Sequence, residues 1–62
     1  MTTDDARLRI HSAMDQFGSH AAPMIDRVIN ETRSALGNET ANELIDEFNL
    51  ELAYNIFPVE FE

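Results

Sequence analysis

Thr40-Ala41-Asn42-Glu43-Leu44-Ile45-Asp46-Glu47-Phe48-Asn49-Leu50-Glu51-Leu52-Ala53-Tyr54-Asn55-Ile56-Phe57-Pro58 is the stretch on which the fold turns. A threonine followed three residues later by a glutamate reads as a capping box, each side chain accepting from the other's free backbone amide. Ala41, Leu44, Ile45, Phe48, Leu52 and Ile56 then recur at helical spacing and define one apolar face. The spacing predicts a helix from Thr40 to Ile56, which Pro58 cannot continue. Leu44 and Phe48, midway along that face, are expected at the centre of the core. At 100° per residue Leu50, Tyr54 and Phe57 fall on the opposite side. That side begins acidic, with Glu39, Glu43, Asp46 and Glu47, and turns apolar over its last two turns.

Two amphipathic segments precede this one. The first runs from Asp4 to Phe17, with Ala6, Ile10, Ala13, Met14 and Phe17 on one side and Leu8 alone on the other. Thr2 or Thr3 can cap it, Asp4 and Asp5 suit the positive end of its dipole, and Gly18 ends it. The second runs from His20 to Leu36, with Ser19 as its cap and Pro23 near its first turn. Ala21, Met24, Ile25, Val28, Ile29, Thr32, Ala35 and Leu36 share its apolar face, and Gly37 stops it. The expected fold is therefore all-α, a single three-helix domain over residues 1–57 with a short tail over 58–62. Pro58-Val59-Glu60-Phe61-Glu62 alternates apolar and acidic residues as a strand does, and could cover the helix or pair with another chain.

Sixty-two residues make a small domain. Chains of this size bury only about 60% of the surface their unfolded form exposes, and commonly need a staple, a metal or a second subunit. With no cysteine, disulfides and thiolate metal sites are excluded. Self-association is then the expected staple, a homodimer built on the C-terminal half of the third helix and the tail. The residues expected at its interface are Leu50, Tyr54, Phe57, Val59 and Phe61. Tyrosine and phenylalanine suit the buried centre of such a contact. A helical hairpin pairing with a second copy into a four-helix arrangement is the alternative architecture.

The net charge of −8 shapes the partner classes. Residues 1–31 carry five acids and three arginines, whereas residues 32–62 carry seven acids and Arg33 alone. Such a field repels nucleic acid and anionic membrane, so neither is an expected direct partner. No apolar run approaches the roughly 20 residues of a membrane span. The polar, acidic start Met1-Thr2-Thr3-Asp4-Asp5 is unlike a signal peptide, and the expected location is the cytoplasm. Asn30-Glu31-Thr32 and Asn38-Glu39-Thr40 match the glycosylation tripeptide, which has no meaning there.

Chemistry-bearing constellations are sparse. His11 and Asp15 stand four apart with Asp4 on the same side, but one exposed helix offers no converging ligands, so no metal is expected. Glu39, Glu43, Asp46, Glu47 and Glu51 lack the loop of a calcium site and the apolar enclosure of a general acid. Ser12, Ser19 and Ser34 have no partners suited to nucleophilic catalysis, and no phosphate loop is present. No cofactor and no catalysis are expected. Two functions fit: a small protein-interaction or regulatory module, and an acidic decoy that mimics a phosphate backbone to block a nucleic-acid-binding protein. Salt separates them, because charge mimicry weakens steeply as ionic strength rises.

Overall fold

Gly18 and Gly37 close the first two helices and turn the chain, as their conformations require. Gly18 adopts φ 53° with ψ −122°, and Gly37 φ 96° with ψ 166°. Both lie where a side chain is strained, so a β-carbon at either turn would oppose the chain reversal even though the space is open. In a computed structural model, which describes residues 1–59, these turns connect α1 (Thr3–Phe17), α2 (Ala22–Leu36) and α3 (Asn38–Glu47); a further short helix, α4 (Leu50–Tyr54), comes after α3. The all-helical class expected from the periodicity is observed: every regular element among the described residues is a helix. The third element differs from its expected form.

Helix α1 starts as the sequence implies, with Thr2 Oγ1 accepting from the Asp5 amide at 3.1 Å and Asp4 and Asp5 in the first turn. Its last amide-to-carbonyl bond runs from Gly18 to Met14. A single 3-10 turn, Gly18–His20, then leads to α2. Ser19 lies inside that turn, so it is not the cap expected of it; Ala21 occupies the cap position, with no side-chain hydrogen bond, and Pro23 lies in the first turn. Helix α3 enters directly from Gly37, two residues ahead of the expected Thr40 start. No side chain caps it, and Thr40 is already within the helix, so the capping box does not form.

The largest departure lies at Phe48-Asn49. The expected unbroken helix stops there because Asn49 adopts the left-handed conformation, φ 54° and ψ 42°. Its carbonyl then accepts from the Ala53 amide and opens α4. Asn55 repeats the conformation and closes α4, and the amides of Asn55 and Ile56 both donate to the Leu50 carbonyl oxygen. Asparagine tolerates this region better than other side-chain-bearing residues, so two asparagines here do what glycine does at the other turns.

The break changes which residues face inward. Leu50, expected on the outer face, is wholly buried, and Leu52, expected in the core, is 83% exposed. Phe48 is only partly buried, its ring packed against the core and meeting His11 edge-on at 5.2 Å. Ala41, Leu44, Ile45 and Ile56 are buried as expected. Helix α2 packs against both α1 and α3. Ile10, Ile25, Ile29, Leu44 and Leu50 form the enclosed centre, and Ala6, Ala13, Ala21 and Ala41 let the helices approach closely around it. The Thr32 hydroxyl, also buried, donates to the Val28 carbonyl at 2.8 Å and leaves no lost hydrogen bond.

Candidate interaction surfaces

Helix α3 covers only one side of the α1–α2 pair. On the other side an open groove of about 380 Å³ runs between α1 and α2. Ala13 and Val28 line it, and Leu8, Phe17 and Met24 stand along it, 67%, 44% and 42% exposed respectively. Phe17 and Met24 share the apolar stripes of their helices, but this core is too narrow to take them. They are corrections to the expected core, and so is Ala35, which is also exposed. Leu8 looked solitary in the sequence because its neighbours in the groove come partly from the next helix.

Charge around the groove is compensated. Arg9 of α1 reaches across to Glu31 of α2 at 2.8 Å and also meets Asp5 at 3.6 Å. Arg27 lies 4.0 Å from the same Glu31. These side chains are all substantially solvated, so each pair contributes little to stability. They do leave an apolar strip with a near-neutral rim on a strongly acidic body.

The residues expected to form an interface differ in how far their own domain covers them. Leu50 is interior to its own subunit, which removes it from any surface. Tyr54 is half-buried against the core, and its hydroxyl donates to the Gly18 carbonyl at 2.9 Å. Phe57 is 54% exposed and Val59 is exposed. Both nevertheless belong to a tail segment tied to its own domain. Arg33 Nη2 donates to the Phe57 carbonyl at 3.1 Å. The Asn42 side-chain amide donates to the Val59 carbonyl at 2.7 Å and accepts from the Val59 amide at 3.0 Å. Phe61 lies outside the described residues. Leu52, assigned inward by the unbroken-helix reading, joins Phe57 as exposed apolar surface.

The acidic stripe is exposed at Glu39, Glu43, Asp46, Glu47 and Glu51. Glu47 differs from the rest: Arg7 Nε donates to both its oxygens, at 2.7 and 3.0 Å, while Arg7 Nη1 donates to Asp4. The Glu47 hydrogen bonds, with the charges of Glu47 and Asp4, hold the Arg7 guanidinium protonated even more firmly than usual. Among the described residues no group of three metal-ligating side chains converges, and no helix is long and apolar enough to cross a membrane. Comparison with known proteins gives no matching family model, no similar curated protein and no similar solved structure. The surface itself is what the functional reading rests on.

Proposed function

We propose that this chain is a small acidic protein-interaction module of the cytoplasm that acts by docking, without catalysis, and works as a homo-oligomer. The observation that carries the reading is the groove between α1 and α2, where Leu8, Phe17 and Met24 remain in solvent beside the buried Ala13 and Val28. A fully buried side chain of this kind is worth roughly 1.5–3 kcal/mol. Covering even the exposed fractions of three would reward association in a domain whose stability is of the order of a few kcal/mol. The test is site-specific photo-crosslinking in cells, with the crosslinker at Ser12 in the groove or, as a control, at Glu43 on α3. Protein adducts from Ser12 and none from Glu43 are the expected outcome; no adduct from Ser12 would remove the basis of the reading.

The second reading is the acidic decoy. It draws on Glu39, Glu43, Asp46 and Glu51, for which no ion pair forms among the described residues. Adducts from Glu43 to a nucleic-acid-binding protein, lost as salt rises, would put it first.

A further inference from the structure

We propose that the occupant of the α1–α2 groove is a second copy of this chain, so that two α1–α2 pairs meet face to face as a four-helix layer with an α3–α4 unit outside each pair. This rests on the docking reading above and commits it to one surface and one partner.

Two observations select the second copy, and the size of the face bounds how tightly it binds. The first is charge. Two bodies of net charge −8 repel, so they associate most easily where charge is already compensated. Arg9, Arg27 and Glu31 line the groove, and Asp5 pairs with Arg9 beside it, so that the four charges sum to neutrality; the Arg9–Glu31 pair joins the two helices, and the other two pairs lie within one helix each. The α3 face, by contrast, presents acids in series. The second is self-complementarity. A two-fold contact places the same patch on both sides, which requires both signs of charge within one patch. The rim has both, at contact distance, around an apolar centre. A cationic partner would be served better by α3, and a strongly acidic one would meet Glu31 and Asp5 as well as the arginines.

The bound comes from size. Two 15-residue helices side by side, each about 22 Å long and 10 Å across, offer about 400 Å² of face. Both faces together, about 800 Å², lie below the roughly 1,200–2,000 Å² of standard stable interfaces, in the range of weak and transient contacts. The expected dimer is accordingly weak, dissociating in the micromolar range, and it closes the apolar surface that a small core leaves open.

The test is sedimentation equilibrium of the full chain from low to high micromolar concentration, with two paired variants. Leu8→Glu with Met24→Glu alters the groove; Leu52→Glu with Phe57→Glu alters the α4 and tail surface. All four residues are exposed, Met24 the least of them at 42%, and helical circular dichroism checks each fold. If a glutamate pair perturbs folding, Leu8→Gln with Met24→Gln replaces it. The expected result is a monomer–dimer equilibrium in the parent, weakened about a hundredfold or more by the groove pair, since each change occurs twice in a symmetric dimer. The tail pair should leave it within about threefold, near the scatter of context-dependent surface effects. Added salt should strengthen the parent dimer by screening the two acidic bodies. A dimer lost with the tail pair and kept with the groove pair overturns the assignment of the face. A parent that is monomeric at every concentration overturns the second copy as occupant. In that case Ser12 adducts to a different protein would still uphold the docking reading, and their absence would remove both.

Discussion

The Tyr54 hydroxyl donates to the Gly18 carbonyl oxygen at 2.9 Å, fastening the short α4 to the turn between α1 and α2. The bond joins residues 36 apart in sequence, at a turn where Gly18 holds a φ of 53° that strains any other residue. The ring itself packs on the core, so Tyr54→Phe isolates the hydroxyl. Its carbonyl partner can turn to water, which limits the penalty. The expected loss is about 0.5–1.5 kcal/mol by urea denaturation. A neutral change would mean α4 is held by apolar contacts alone.

Leu50 and Leu52 stand two residues apart and on opposite sides of the surface. Leu50→Ala should cost about 2–5 kcal/mol, as burial in a small core implies, and could unfold the domain near physiological temperature. Leu52→Ala should change stability by no more than about 0.5 kcal/mol. Thermal denaturation of the two variants side by side reads the difference. The reverse order would restore one continuous third helix.

Element type was legible in this sequence because it depends on apolar periodicity, and Ile10, Ile25, Ile29, Leu44 and Ile45 all lie where the 3.6-residue repeat puts them. Both glycine turns were legible for a similar reason, since few other residues serve there. The Asn49 break was not. Asparagine reaches the left-handed region at some cost, so its presence is a weak signal until packing selects it. Once the break is missed, every register beyond it fails, which is how Leu50 and Leu52 exchange places. The groove was hidden differently. Leu8, Phe17 and Met24 come from two helices, and a stripe drawn on one helix at a time does not show what the third helix leaves uncovered.

The Asn42 amide engages both backbone groups of Val59 and so holds the tail on α3 without regard to the tail's side chains. Asn42→Ala removes both bonds at once. Hydrogen exchange at the Val59 amide should accelerate by about tenfold or more, the equivalent of roughly 1.4 kcal/mol of local opening. Amides at Ile25 and Ile29 should keep their protection. Acceleration across the whole chain would show that the tail supports the global fold rather than only its own segment.

Glu43 and Glu47 are one turn apart on α3, yet only Glu47 meets a guanidinium. Glu43→Gln should leave stability within about 0.5 kcal/mol. Glu47→Gln should destabilise more, because Arg7 loses a two-oxygen partner that links α1 to α3. The gap between the two should narrow as salt screens the ion pair. Equal effects at low salt would place the Arg7–Glu47 pair among surface contacts that contribute nothing measurable.

Asn49→Ala gives the sharpest test of the break, because the sign of the effect decides it. Asn49 is exposed, so little packing changes with the substitution. If the chain ran helically through Phe48 and Leu50, alanine would favour that helix by up to about 0.7 kcal/mol over asparagine. With Asn49 at φ 54° the opposite holds. The alanine β-carbon opposes the left-handed conformation, which costs an ordinary residue roughly 1–2 kcal/mol and asparagine less. A net loss of about 0.5–1 kcal/mol is therefore expected by urea denaturation. Asn49→Gly should stay within about 0.5 kcal/mol of the parent, since glycine adopts this conformation freely but loses more entropy on folding. Destabilisation by alanine and tolerance of glycine together support the break. Stabilisation by alanine would replace α3 and α4 with a single helix and return Leu50 to the surface.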